Sequence, residues 1–98
     1  MDDPHAALFD ELFRQVLDGP GQSPRDVRRA SARNQDVPGD LQPLIDKIHK
    51  HAYTVTDQDV ARLQATYGDD RMFEIIVSAA LGASRKRLMA GLAALEDA

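Results

Sequence analysis

The chain has 98 residues, of which 43% are hydrophobic and 29% are charged, and its formal net charge is -4. This composition is typical of one globular domain, and the negative charge argues against binding to nucleic acid through its phosphates. The chain contains no cysteine, which excludes a disulfide, a thiolate metal site, a CxxC redox pair and a cysteine nucleophile.

The sequence also favours a cytoplasmic location. The N-terminal stretch MDDPHAALFDEL is acidic and lacks the basic start and apolar run of a signal peptide. No stretch reaches the roughly 18 consecutive apolar residues that a membrane-spanning helix requires. We therefore expect residues 1–98 to form a single helical domain with no membrane segment.

The first predicted helix covers residues 4–18 and is amphipathic. Asp2 and Asp3 before Pro4 are typical of a helix start, and Gly19 followed by Pro20 is typical of a helix end. Its apolar residues recur at spacings of three and four: Leu8, Phe9, Leu12, Phe13, Val16 and Leu17. Such a stripe usually belongs to a core, and less often forms an arm that grips a partner.

The second predicted helix covers about residues 24–33, with Ser23 and Pro24 as its start signal. Val27 and Ala30 are nearly its only apolar side chains. Four arginines crowd it: Arg25, Arg28, Arg29 and Arg33. Because no aromatic residue is interleaved with them, we interpret them as a solvated face or a dock for an acidic partner rather than a nucleic-acid footprint.

Two further helices are predicted before the C-terminal one. Asp40 caps the first of them, roughly residues 41–53. Its predicted buried face consists of Leu41, Leu44, Ile45, Ile48 and Ala52. The second begins at Thr56, whose hydroxyl is expected to cap the N–H of Asp59, and ends at Gly68 in a left-handed conformation.

The last predicted helix, from Asp69 or Asp70 to about Glu96, dominates the chain. Between residues 72 and 83 it is apolar on almost every side, so it must be enclosed by its own chain or by another. Its length of roughly 39 Å is large against a radius of gyration of about 13 Å for a domain of this size. We therefore predict an all-α, compact bundle of about five helices that forms a homo-oligomer. The predicted interface residues are Val77, Ala80, Leu81, Arg87, Leu88, Leu92 and Leu95.

Residues 41–96 resemble part of the carboxymuconolactone decarboxylase / alkylhydroperoxidase D-like superfamily. The matching residues are Val55-Thr56-x-x-Asp59-Val60-x-x-Leu63, Tyr67-Gly68, Phe73-Glu74-Ile75-Ile76-Val77-x-Ala79-Ala80-x-Gly82-Ala83 and Arg87-Leu88. The resemblance implies an all-helical fold and a dimer, trimer or hexamer. The peroxidase members use a CxxC pair, which cannot be placed on this sequence, so thiol peroxidase activity is excluded. Decarboxylase members act without cysteines.

Three polar residues are the candidates for a catalytic site: Glu74, His51 and Tyr53. Glu74 is the only charge in the most apolar run and could be an acid in a pocket, but buried carboxylates are normally paired. We expect a rim carboxylate paired with Arg62 or Arg71, or a pair with Arg87 of another subunit. His49 and His51, two residues apart on a helix, point in nearly opposite directions, so no metal site is predicted.

Two functions fit these observations. The first is a non-catalytic helical module that self-associates or binds a separate protein partner, with no cofactor. The alternative is a cysteine-free, decarboxylase-type enzyme or small-molecule binder, in which Glu74, His49, His51 and Tyr53 line a pocket between subunits.

Overall fold

The computed structural model describes the backbone of residues 4–96 and the side chains of residues 10–96. Over this range the chain is helical and contains no strand, which confirms the predicted all-α class. The elements in chain order are α1 (Pro4–Asp18), α2 (Arg25–Arg33), α3 (Gln42–His51), a 3₁₀ turn (Ala52–Thr54) and α4 (Asp57–Glu96). None of these helices is both long and apolar enough to cross a membrane.

The predicted break at Gly68 lies within α4, where two helical segments meet at a kink. Gly68 has φ 81° and ψ 165°, a non-helical conformation that interrupts the helix. The positive φ is as predicted, but the expected left-handed helical ψ is wrong. Residues that carry a side chain rarely adopt this backbone conformation. The bend therefore requires a glycine, even though no atom lies close to the position of an added Cβ. Four α-helices are therefore observed in the described residues, and the last has two arms, 57–67 and 69–96.

The second arm of α4 runs the length of the molecule. At about 1.5 Å per residue, residues 69–96 measure roughly 40 Å. The longest dimension of the described chain is 46 Å, and its radius of gyration is 14.4 Å. The other helices pack along this arm, but its C-terminal turns extend past them and are mostly exposed.

The hydrophobic core lies between α3 and α4. Leu41 and Ile45 are fully buried against Met72, Ile75 and Ala79. The predicted buried face of α3 is confirmed at Leu41, Leu44, Ile45 and Ile48. The expectation for Ala52 is wrong: it is exposed, because α3 ends at His51 and the chain turns away in the 3₁₀ turn.

The second contact of α4 is with α2, and it is unusually close. A Cβ atom added at Gly82 would overlap the carbonyl group of Ala32. The small residues of α4 therefore admit another helix backbone at close range, and that helix belongs to the same chain. The buried face of α2 is formed by Arg28, Ser31 and Ala32, and Val27 is only half-buried. Small side chains occupy the contact because the two backbones nearly touch.

The N-terminal helix is only partly buried. Leu17 is buried, Phe13 and Val16 are half-buried, and Leu12 is 49% exposed. Leu8 and Phe9, which complete the predicted stripe, lie outside the residues whose side chains are described. The predicted end of α1 before Gly19 is confirmed.

The start of α4 is capped as predicted. The N–H of Asp59 donates to the hydroxyl of Thr56 at 3.2 Å, and the N–H of Thr56 donates to the Asp59 carboxylate at 2.9 Å. This reciprocal pair satisfies two backbone donors that a helix start would leave free. Lys47 also donates to Asp59 at 2.8 Å. The hydrogen bonds from Lys47 and Thr56 lower the pKa of Asp59 to about 2.

The predicted cap of α3 by Asp40 is wrong. Leu41 occupies the cap position, and the Asp40 carboxylate instead accepts a hydrogen bond of 2.7 Å from the hydroxyl of Tyr67. Burial and this bond to a carboxylate together raise the pKa of Tyr67 to about 12. The bond joins the loop before α3 to the end of the first arm of α4, next to the bend at Gly68.

Candidate functional site

The second arm of α4 has two faces with different surroundings. Its inner face, defined by Met72, Ile75, Ser78, Ala79, Gly82 and Ala83, is buried. At about 100° per residue, a second set of residues lies on the opposite side of the helix. We call this set the outer face, and it consists of Phe73, Val77, Ala80, Leu81, Ser84, Leu88, Gly91, Leu92 and Leu95.

The outer face is apolar and largely uncovered. Phe73 is 70% exposed, Leu88 39% and Leu95 74%. Val77, Leu81 and Leu92 are half-buried, and Ala80 is exposed. Large apolar side chains that line up on one exposed face mark a surface for association more often than single exposed residues do.

The predicted interface residues are brought together by this face, with one exception. Val77, Ala80, Leu81, Leu88, Leu92 and Leu95 all belong to it. Arg87 lies at its edge and is exposed, with Nη2 donating to the carbonyl of His49 at 3.4 Å. Sequence reasoning missed Phe73 as a member of this set, although its spacing of four residues from Val77 indicates the same face.

Glu74 has a different partner from those predicted. Its carboxylate accepts hydrogen bonds from the N–H of Gln22 at 2.8 Å, the N–H of Ser23 at 2.7 Å and the hydroxyl of Ser23 at 2.6 Å. Arg62 pairs instead with Asp59 at 3.7 Å. The predicted pair with Arg62 or Arg71 is therefore wrong, and the pair with Arg87 of another subunit remains a prediction.

The loop before α2 is shaped to receive this carboxylate. A Cβ atom on Gly21 would overlap Oε1 of Glu74, so a side chain there would displace the carboxylate from its present position. The prediction that Ser23 begins α2 as its cap is wrong. Its hydroxyl and N–H both donate to Glu74, and Pro24 occupies the cap position. Burial raises the pKa of Glu74, but the hydrogen bonds from Ser23 and Gln22 and the nearby charge of Arg28 outweigh it and lower the pKa below its usual value.

Arg28 is buried, which contradicts the expectation of a solvated arginine face on α2. It is only 3% exposed, and its Nη1 donates to the carbonyl of Val16 in α1 at 2.8 Å. It thereby satisfies a carbonyl near the C-terminal end of α1, where a positive charge is favourable. Arg25, Arg29 and Arg33 are exposed as predicted.

The remaining candidates do not converge on one site. The rings of His51 and Tyr53 meet edge to face at 5.9 Å, and Tyr53 is 86% exposed. Nε2 of His49 lies 2.8 Å from the carbonyl of Ser31 on another side of α3. Glu74 is held by the loop before α2, so the structure does not bring it together with His51 and Tyr53 within the chain.

Comparisons of this chain with protein families, curated proteins and solved structures found no match. Over the described range, no group of three or more His, Asp or Glu side chains is placed to hold a metal ion. The structure itself therefore supplies the evidence for the site, and its most distinctive feature is the outer face of α4.

Proposed function

We propose that this chain is a non-catalytic helical module that self-associates through the outer face of α4. The observation that carries the proposal is the exposure of Phe73, Leu88 and Leu95 along one side of α4, whose opposite side is buried between Met72 and Ala83. In water, an apolar strip along this length favours association because pairing removes it from solvent. A homo-oligomer is the assembly we propose, with a dimer as its smallest unit.

The order of large and small residues on the outer face favours a second copy as the occupant. Suppose that two antiparallel copies meet on a two-fold axis at Ser84. Each residue of one copy then faces a residue of the other copy, and the two residue numbers add up to 168. Leu88 then faces Ala80, Val77 faces Gly91, and Phe73 faces Leu95. Ala80 and Gly91 thereby lie opposite the larger Leu88 and Val77, and two large side chains meet where Phe73 faces Leu95. A two-fold interface must be self-complementary in this way.

The area of the outer face determines how strong an association we expect between two copies. A strip of roughly 40 Å by 10 Å covers about 400 Å² on each copy, or about 800 Å² in total. This lies in the class of weak or transient interfaces rather than obligate ones. We therefore expect an assembly that dissociates on dilution.

We further propose that the helices adopt an alkylhydroperoxidase D-like arrangement. The support is the residue pattern between Val55 and Leu88 and the all-helical fold that contains it. The oligomers common in that superfamily agree with the association proposed here. A catalytic role has less support, because Glu74 is held by backbone donors and Tyr53 is almost fully exposed.

The test is the molar mass in solution as the concentration changes. Sedimentation equilibrium of the full chain should give a mass that rises from 10.8 kDa towards twice that value as the protein is concentrated. The Leu88→Glu variant should remain a monomer, since it places a charge opposite Ala80 in an apolar interface.

Leu12→Glu is the matched control. Leu12 is 49% exposed and lies on α1 rather than on α4, so its substitution should leave association unchanged. A wild-type chain that stays monomeric at millimolar concentration would overturn the proposal. Equal loss of association in the Leu12 variant would show that the outer face is not the interface.

A further inference from the structure

The junction of α1, α2 and α4 contains an open groove on a different side of the molecule. It has a volume of about 450 Å³, and its lining includes Phe13, Ala32, Arg33, Gly82 and Lys86. Small-molecule sites have volumes of roughly 300–1,000 Å³ and are mostly apolar with a few polar groups. We propose that this groove binds a small amphiphilic anion, a carboxylate with an apolar body. This inference does not depend on the proposed self-association.

The floor of the groove is rigid and apolar. It is formed where α2 and α4 touch, at the buried residues Ala32 and Gly82. Because a Cβ on Gly82 would overlap the Ala32 carbonyl, the two helices cannot separate or slide without losing this contact. Phe13 and Met89 also line the groove and add apolar surface.

Two cations at the rim lack a carboxylate partner. Within residues 10–96, neither Arg33 nor Lys86 forms a salt bridge, and Lys86 Nζ reaches only the carbonyl of Arg33 at 3.5 Å. A third cation, Arg85, is already engaged: it pairs with Asp10 at 2.9 Å and lies over the ring of Phe13 at 4.8 Å. Arg33 and Lys86 are therefore the groups available to a negative headgroup.

The acidic groups nearby do not neutralise these two cations. Asp10 is paired with Arg85, and Asp18 with Arg29. Asp36 lines a neighbouring hollow that also contains Arg33, without a salt bridge between them. The local positive charge contrasts with the net charge of -4 for the whole chain, so an anion meets a favourable local field at these two cations.

The chemistry of the lining decides the class of ligand. A carboxylate can accept hydrogen bonds from a guanidinium and an ammonium group together, and such charge-assisted bonds are strong. The apolar floor has no hydrogen bond to offer the rest of the ligand and favours a hydrocarbon body. Octanoate has both parts and is a suitable probe.

The experiment is an NMR titration of the ¹⁵N-labelled full chain with octanoate, 1-octanol and acetate. Octanoate should shift the amide resonances of Ala32, Gly82 and Met89, and both octanol and acetate should bind at least about fivefold more weakly. Arg33→Gln and Lys86→Gln should each weaken octanoate binding by about five- to tenfold, which corresponds to about 1–1.4 kcal/mol and to one typical hydrogen bond. Lys50→Gln is the control, since Lys50 lies on α3 beside Asp46 and should not alter binding.

Several results would overturn the inference. Octanol that binds as tightly as octanoate would show that the cations have no role. Shifts confined to Phe73, Leu88 and Leu95 would show adsorption on the outer face instead. The titration is repeated on Leu88→Glu, where binding in the groove should persist even though association is lost; failure of one proposal is then distinguishable from failure of the other.

Discussion

Glu74 connects two segments that are about fifty residues apart in the chain. Its carboxylate binds the backbone of Gln22 and Ser23 and the Ser23 hydroxyl at 2.6–2.8 Å, and the loop approaches closely because Gly21 has no side chain. The same carboxylate provides a negative charge near the buried Arg28. One side chain thus fixes the loop that precedes α2 and balances the only buried guanidinium in the described core.

Replacing Glu74 should therefore destabilise the fold. In Glu74→Gln, the amide retains one acceptor oxygen but loses the charge and the second acceptor, and a donor now faces backbone N–H groups. We expect a loss of about 1–3 kcal/mol in the free energy of unfolding, measured by urea denaturation at pH 7. Glu96→Gln, at the exposed end of α4, should change it by less than about 0.5 kcal/mol. Equal stability of the Glu74 variant and the wild type would contradict this role.

The Glu74 contribution should also depend on pH in a defined direction. The folded state lowers the pKa of Glu74 below 4.5, so the unfolded chain binds the proton more readily. The stabilisation is therefore fully present above the unfolded-state pKa and is lost as the pH falls through the folded-state value. The difference in unfolding free energy between wild type and Glu74→Gln should shrink between pH 6 and pH 3. A difference that grows on acidification would contradict the assignment.

At the level of the helices, two glycines of α4 should respond to alanine in opposite ways. Gly82→Ala forces a methyl group into the Ala32 carbonyl and should destabilise the chain by about 1–3 kcal/mol. Gly91 has no heavy atom near its added Cβ, so Gly91→Ala should stabilise the helix by about 0.5–1 kcal/mol. Thermal unfolding at low protein concentration, where the chain is a monomer, measures both. Destabilisation by both substitutions would show that glycine acts through something other than the contact with α2.

The sequence alone predicts the elements well and their contacts less well. Local signals such as Gly19, the Thr56–Asp59 pair and the periodic residues of α3 locate helix ends and the core, because they act within a few residues. The burial of Arg28 and the partner of Glu74 depend on how α2 crosses α4, which no local pattern contains. The small residues of α4 are compatible with a close helix backbone, but the sequence does not show whether that backbone comes from the same chain.

In the candidate site, too, the sequence predicts what depends on local periodicity and does not predict what depends on the packing of the helices. The spacing of Val77, Leu81, Leu88 and Leu92 placed them on one face in advance, since helical periodicity alone determines that. Which face of an apolar helix stays uncovered depends on the packing of α2 and α3, so Phe73 was not included. The groove between α1, α2 and α4 was not predicted, because its residues come from three separate segments.

For the whole molecule, the proposed two-fold pairing makes a geometric prediction. The chain has no cysteine, so Ser84→Cys introduces the only thiol at the proposed axis. Mild oxidation should give a covalent dimer, because two residues on the axis of an antiparallel pair approach to within disulfide range. Electrophoresis under non-reducing conditions measures the yield. Ala65→Cys, exposed on the first arm of α4, is the control and should form far less dimer; comparable yields would argue against the axis at Ser84.

The position of α4 at the centre of the packing also bears on how the chain is made. Synthesis proceeds from the N-terminus, so α1, α2 and α3 leave the ribosome before residues 72–83, the surface on which they pack. Leu41, Ile45 and Ile48 have no partner helix until that segment emerges. The nascent chain therefore carries these apolar side chains without that partner until residues 72–83 have followed, a period in which chaperone binding and proteolysis compete with folding.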